Sequence, residues 1–193
     1  MNEAQQDRYR GRLDIALDSL TEAIVGEIST IFVSARLSGD RIWLIGNGGS
    51  ATTADHFATD LLRFSGKEGR PVRATSLGSN VGVITATSHD LGYEQIFTRQ
   101  LEILASPGDV WGAISATGNS PNIIAAINWA RQNSLVAVGL TGFDGGAARA
   151  LVDVSVHVES AKGDYGVEDA HLVACHMVAE ALRVDQIPYA SEG

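Results

Sequence analysis

Apolar residues recur at intervals of three and four near the start of the chain, whereas later they gather in short continuous runs. The early spacing is that of one helical stripe, and it predicts a single helix over residues 5–37 that ends near Gly39. The stripe consists of Leu13, Leu17, Leu20, Ile24, Ile28, Ile31 and Ala35.

Five short apolar runs follow, separated by segments with helical spacing. Strands that alternate with helices favour a parallel sheet with helices on both faces, so we predict an α/β fold, a three-layer αβα sandwich with five parallel strands. No shift in composition marks a boundary, and we expect one domain over 1–193, with 40–184 as its α/β core. The strands are expected at 41–46, 72–77, 109–115, 135–141 and 153–159, and the helices at 50–62, 79–87, 93–105, 120–133, 145–151 and 166–184.

Composition and charge limit the classes of partner that this chain is expected to bind. The 193 residues carry 14 Lys and Arg against 23 Asp and Glu, a net charge of -9, so we expect no nucleic-acid partner. Cys175 is the one cysteine, which excludes an internal disulfide and favours a reducing compartment. No apolar stretch approaches the roughly 18 residues of a membrane span, and none resembles a signal peptide. We therefore expect a cytoplasmic protein with no membrane partner.

A group of hydroxyl side chains stands where the third predicted strand meets a helix. The segment 109–121 reads DVWGAISATGNSP and supplies Ser115, Thr117, Asn119 and Ser120. Short hydroxyls and free N–H groups at a helix N-terminus can hold a phosphate without Lys or Arg. Ser and Asn also cap ordinary helices, but one cap needs one hydroxyl, so we interpret the loop as a phosphate site.

A glycine-rich turn follows the first strand. Residues 46–50 read GNGGS, a lone G-x-G that only weakly indicates a dinucleotide. The next strand ends in Thr75-Ser76-Leu77 and offers no acidic side chain for a ribose. We therefore expect no nucleotide cofactor, and interpret the turn as a close backbone approach to a phosphorylated sugar.

The helix after this turn carries His56 and Asp60 on the side opposite its apolar stripe. A histidine and a carboxylate four residues apart can be an exposed ion pair, half of a metal site or an acid/base couple. Spacing alone leaves these three open.

The last predicted helix is apolar on nearly every side, yet contains Glu168, His171 and His176. Burying such polar groups without partners costs free energy, so their presence in this helix suggests a binding or catalytic site. Glu168 and His176 lie about 12 Å apart along a continuous helix. They can share one ligand only if Glu168 lies at a frayed helix start or if the two come from different chains. No base lies at a sequence spacing from Cys175 that would indicate a catalytic nucleophile, so this cysteine is interpreted as a packing residue.

Five segments together resemble the phosphoheptose isomerases of the sugar isomerase (SIS) fold, over roughly residues 40–183. They are GNGGSATTADHFATDLL, HDLGYEQIFTRQL, DVWGAISATGNSPNIIAAINWAR, VAVGLTGFDGG and VEDAHLVACH. The resemblance implies a flavodoxin-like five-strand sheet and a homotetramer with active sites at subunit contacts, in which residues 1–39 serve oligomerisation. It also implies a sugar-phosphate site, for which we expect Asn47, Gly48, Gly49, Ser50, Asp90, Ser115, Thr117, Asn119, Ser120 and Glu168.

Members of that family hold a zinc ion through His, Glu, Gln and His at the positions of His56, Asp60, Glu168 and His176. The resemblance therefore implies a divalent metal, with zinc expected, at these four residues. In this chain the carboxylate at position 60 is an Asp, one methylene shorter than the family's Glu, and the acidic Glu168 replaces the family's neutral Gln. The added charge should strengthen metal binding, whereas the shorter Asp60 alters the geometry of the general base.

The activity implied is aldose–ketose isomerisation, an intramolecular oxidoreduction that converts sedoheptulose 7-phosphate into heptose 7-phosphate through an enediol. Asp60 is expected to act as the base and His176 as the partner acid. Two alternatives remain: isomerisation of a different sugar phosphate, and a non-catalytic tetramer that acts as a replication-initiator adaptor or regulator. Retention of both histidines and a carboxylate at 60 favours an enzyme.

Overall fold

The sheet has the topology expected of the sequence. The computed structural model describes residues 2–63, 70–160 and 163–184, and within these ranges five parallel strands lie in the order β2-β1-β3-β4-β5. This is the flavodoxin-like order, and it confirms the predicted three-layer α/β sandwich. The strands are β1 Arg41–Gly46, β2 Arg73–Ser76, β3 Val110–Ser115, β4 Val136–Gly142 and β5 Val154–Val158.

Helices cover both faces because the strands are apolar on both. In β1, Ile42 and Leu44 point into one core, while Trp43 and Ile45 point into the other. The first core contacts α2 Glu22–Ser38, α3 Gly49–Arg63 and α8 Gly166–Val184. The second contacts α5 Thr98–Leu104, α6 Pro121–Gln132 and α7 Gly146–Leu151.

The prediction of one helix over 5–37 was wrong. The structure has α1 Glu3–Leu17 and then α2, separated by residues 18–21. Thr21 has extended backbone angles and its Oγ1 accepts a hydrogen bond from the Ile24 N–H at 3.4 Å, so it caps a new helix. The break spans about one helical turn, and the apolar spacing therefore continues across it.

The segment after β2 also differs from its prediction. A helix, α4 Val81–Leu91, extends beyond the expected 79–87 and stops at Gly92, whose φ is +95°. The helix expected over 93–105 is divided into a 3₁₀ helix at Tyr93–Gln95 and α5. Among the described residues, no helix has both the length and the apolar character to cross a bilayer.

Candidate functional site

The hydroxyl loop lies between β3 and α6, at the carboxyl edge of the sheet, where open α/β sheets bind ligands. The Ser115 Oγ accepts from the Gly118 N–H at 3.2 Å, and Ser120 occupies the N-cap of α6 without a side-chain hydrogen bond to the helix. Gly118 has φ +61°, and a Cβ there would overlap the Gly145 carbonyl oxygen. Only glycine fits this turn, which exposes the Thr117 side chain to solvent.

The Asn119 side chain makes hydrogen bonds to backbone groups of the protein itself. Its Nδ2 donates to the Thr117 carbonyl at 3.0 Å, and its Oδ1 accepts from the Ala147 N–H at 3.0 Å. The side chain therefore ties the hydroxyl loop to the start of α7. Its expected contact with a substrate stays a prediction.

The GNGGS turn stands at the same edge of the sheet, between β1 and α3. Gly48 has φ +54°, a conformation that favours glycine in a tight turn, and Ser50 is buried; the approach of a sugar phosphate to this turn stays a prediction. A Cβ at Gly49 would lie 2.8 Å from the Glu168 Oε2, so the carboxylate of α8 lies directly over this turn. Glu168 is thereby close to the predicted sugar-phosphate site.

Asn47, at the second position of this turn, belongs to an amide cluster with Asn122 and Tyr93 that sequence reasoning missed. Asn122 lies in the apolar stripe of α6, four residues before Ala126, and this polar residue within the stripe was the available signal. Tyr93 gave no comparable signal, because an exposed aromatic next to glycine is common in loops.

His56, Asp60 and His176 come together on the surfaces of α3 and α8. The Asp60 Oδ2 lies 3.4 Å from the His56 Nε2 and 3.6 Å from the His176 Nε2, and the two Nε2 atoms are 3.2 Å apart. The Asp60 side chain is 13% exposed, against 49% and 48% for the two histidines. The three residues line an open pocket of about 240 Å³ together with Ala179 and Glu180.

These three residues fit a divalent metal. An ion bound tetrahedrally at about 2.0–2.1 Å places its ligand atoms about 3.3 Å from one another. The separations of 3.2, 3.4 and 3.6 Å agree with that value. Two imidazoles and one carboxylate form a donor set of the catalytic type, which leaves a fourth position for water or substrate.

Three kinds of comparison relate the chain to known proteins. The SIS domain model matches residues 8–142. A phosphoheptose isomerase of Aromatoleum aromaticum is 36% identical over 179 residues, 92% of this chain and 89% of that protein. A phosphoheptose isomerase of Shewanella halifaxensis is 38% identical over 170 residues, covering 86% of this chain and 85% of that protein. The structure of the phosphoheptose isomerase GmhA from Neisseria gonorrhoeae superposes with a TM-score of 0.85 at 25% identity, over 95% of this chain and 96% of that one.

The chain belongs to the SIS-domain phosphoheptose isomerase family. This confirms the resemblance drawn from the five sequence segments. The cluster of His56, Asp60 and His176 could hold a metal ion, and its role stays a prediction.

The four metal ligands expected from the family do not all meet. Within the described residues, the ligand atoms of His56, Asp60 and His176 lie within 4.8 Å of one another, and Glu168 is outside that group. The helix is continuous from Gly166, so the frayed start that would bring Glu168 nearer is absent from the described part of α8. Glu168 as a metal ligand stays a prediction.

Asp90 lies near the end of α4, exposed, with its Oδ1 2.8 Å from the His89 Nδ1. The structure therefore places it on the segment that leads to Tyr93, and its contact with substrate stays a prediction.

Two further residues of α8 belong to the core rather than to the site. Burial raises the pKa of the Cys175 thiol, assisted by the charge of Asp60, which confirms the interpretation of this cysteine as packing. Burial also lowers the pKa of His171 to about 4. Its Nε2 lies 3.1 Å from the Thr141 carbonyl oxygen, so the neutral ring donates there.

Proposed function

We propose that this chain interconverts sedoheptulose 7-phosphate and heptose 7-phosphate. The observation that carries the proposal is the carboxylate of Asp60 held between the imidazoles of His56 and His176, in a member of the phosphoheptose isomerase family. Aldose–ketose isomerisation is an intramolecular oxidoreduction that needs one base and one acid on either side of a carbonyl.

Asp60 removes a proton from carbon 1 of the ketose, beside the carbonyl. His176 donates a proton to the carbonyl oxygen at carbon 2, and an enediol results. The proton then returns from Asp60 to carbon 2, while the hydroxyl proton at carbon 1 passes to His176 and leaves an aldehyde. Base and acid are therefore both restored at the end of each turnover.

The phosphate end is held by hydroxyls. Ser115, Thr117 and Ser120 offer O–H donors, and the N-terminus of α6 adds the positive end of the helix dipole. This arrangement supports a phosphate monoester in a chain of net charge -9, because the donors act locally.

We also propose that His56, Asp60 and His176 bind zinc, with Glu168 of another copy of the chain as the prediction for a fourth ligand, since the start of α8 is not frayed. A bound divalent ion would supply Lewis acidity, which stabilises negative charge on the substrate oxygens.

A homotetramer, a cytoplasmic location and one SIS domain over 1–193 stay predictions. The surface of α4 supports self-association. No residue of this helix is buried, and its apolar residues Val81 and Leu91 are 70% and 56% exposed, so a second copy of the chain could cover them.

The proposal is tested with purified protein, metal analysis and three candidate substrates: sedoheptulose 7-phosphate, fructose 6-phosphate and ribulose 5-phosphate. We expect about one zinc ion per chain and formation of an aldoheptose phosphate from the first substrate. Turnover of another ketose phosphate alone would favour the isomerase of a different sugar. Absence of turnover on all three with metal supplied would contradict an enzymatic role.

A further inference from the structure

Three segments that carry predicted substrate contacts meet at the amide cluster formed by Asn47, Asn122 and Tyr93. Asn47 belongs to the GNGGS turn, and Asn122 follows Ser120 and Pro121 at the start of α6. Tyr93 begins the 3₁₀ helix that follows α4 and Asp90. The cluster thus connects all three segments.

The two asparagine amides form a reciprocal pair. The Asn47 Nδ2 donates to the Asn122 Oδ1 at 2.9 Å, and the Asn122 Nδ2 donates to the Asn47 Oδ1 at 2.8 Å. The Tyr93 hydroxyl donates to the same Asn47 Oδ1 at 2.9 Å. Two parallel hydrogen bonds fix the separation and the relative orientation of two loops more firmly than one bond can.

The orientation of both amides follows from one backbone group. The Ile123 N–H lies 3.0 Å from the Asn122 Oδ1, and an N–H can only donate. The atom it meets must therefore be oxygen, which directs the Asn122 Nδ2 to Asn47. Asn47 must in turn present its oxygen, and Tyr93 must be the donor to it.

Burial shows that this cluster is built into the fold. Asn122 is 1% exposed, so its amide would be costly if it were unpaired. Tyr93 is 53% exposed, and its ring contributes little to the core. Its hydroxyl is nevertheless directed at the turn, and it holds a segment whose preceding helix, α4, has no buried residue.

We infer that Asn122 and Tyr93 are positioning residues for the isomerase site, which set the distance between the hydroxyl loop and the GNGGS turn. The inference rests on the proposed function. Phosphate is held on one side of the cluster and the turn approaches the sugar on the other. A shift of this spacing moves the reacting carbons relative to Asp60, and displacements of about 1 Å can cost on the order of 100-fold in rate.

The test uses Asn122→Asp, Tyr93→Phe and the double variant. Asp at 122 keeps an oxygen for the Ile123 N–H and suits the first turn of a helix, so the fold is retained. Its second oxygen faces the Asn47 Oδ1 and breaks the pair. Tyr93→Phe removes only the hydroxyl. Asn128→Asp, at an exposed position of the same helix, is the matched control.

We expect kcat for sedoheptulose 7-phosphate to fall about tenfold in Asn122→Asp and about threefold in Tyr93→Phe, with the double variant no worse than Asn122→Asp alone. The dissociation constant for inorganic phosphate should change less than twofold in Tyr93→Phe, because that variant leaves both the hydroxyl loop and its local charge intact. A purely structural role would weaken phosphate binding and lower kcat in parallel. That result, an unchanged kcat, or a double variant about thirtyfold slower would each overturn the inference.

Failure of the proposed function can be distinguished from failure of the positioning role. If the wild type converts no sedoheptulose 7-phosphate, that function fails, and binding decides the inference instead. Tyr93→Phe, which changes no charge, should then bind sedoheptulose 7-phosphate about threefold more weakly while binding inorganic phosphate as before. Equal weakening of both ligands, or of neither, would overturn the positioning role.

Discussion

At the scale of single residues, Ser120 has a hydroxyl placed at the N-terminus of α6 and not used to cap it. We expect Ser120→Ala to weaken inorganic phosphate binding about tenfold, the value of one hydrogen bond to a charged group, and to leave kcat within about twofold. Calorimetric titration measures the affinity. Ser38→Ala, an exposed serine at the end of α2, is the control. Unchanged phosphate affinity in Ser120→Ala would remove this hydroxyl from the site.

At this scale local spacing indicated the hydroxyls and imidazoles, whereas the grouping of His176 with His56 and Asp60 came from the family resemblance. The residues His56 and Asp60 are four apart on one helix, so their proximity follows from helix geometry. His176 comes from α8, and only the packed fold brings it to 3.6 Å from Asp60. The amide of Asn119 was expected to meet substrate, but its partner on α7 lies 28 residues away in the chain, where spacing carries no information.

At the scale of elements, the hydroxyl loop and the loop after β4 pack backbone to backbone. We expect Gly118→Ala to lower the free energy of unfolding by about 3 kcal/mol or more, because strain at positive φ adds to a clash with the Gly145 carbonyl. Gly39→Ala also has positive φ, but the atom it would meet is the end of the Arg70 side chain at 3.7 Å. It should cost only about 1 kcal/mol. Urea titrations compare the two, and equal losses would contradict the close packing of these loops.

The extent of the helices was predictable except where they are interrupted and at α4, which extends beyond its expected end. Apolar periodicity placed α3, α6 and α8 within about a residue of their observed bounds. It failed at residues 18–21, because the interruption is set by the capping hydrogen bond of Thr21 and occupies about one turn. It also failed at Ile96 and Phe97, which are buried between two short helices and therefore preserve an apolar pattern.

At the scale of the whole molecule, stability should depend on pH through His171. Its pKa in the folded state is about 4, below the ordinary value near 6.5, because burial disfavours the charged ring. The unfolded chain therefore binds a proton below pH 6.5 that the folded chain does not. The contribution of His171 to the free energy of unfolding is therefore complete above that pH and is lost as pH falls toward 4. Burial, with the charge of Arg149, also lowers the pKa of His157, which acts in the same direction.

We expect the free energy of unfolding to decrease by about 2 kcal/mol between pH 7.5 and 5 through His171 alone. His171→Gln should remove most of that dependence, while His89→Gln, an exposed histidine, should retain it. Urea unfolding at both pH values provides the measurement. An equal pH dependence in His171→Gln and the wild type would show that other groups are responsible.

The overall architecture followed from sequence alone, because five apolar strands separated by helices permit few arrangements. The strand order came from the family resemblance rather than from periodicity, and the structure confirms it. The cluster at 47, 93 and 122 could not be predicted, since it depends on the meeting of three loops at one edge of the sheet.

The most direct measurement follows sedoheptulose 7-phosphate by proton NMR in deuterium oxide with the wild type and with Asp60→Asn; Asp14→Asn, an exposed carboxylate on α1, is the control. The wild type and the control should form an aldoheptose phosphate that carries solvent deuterium at carbon 2. Asp60→Asn should be slower by about 100-fold or more and bind inorganic phosphate within about twofold of the wild type. Equal rates in Asp60→Asn and the wild type would contradict proton transfer by Asp60, and no conversion by the wild type would contradict the isomerase itself.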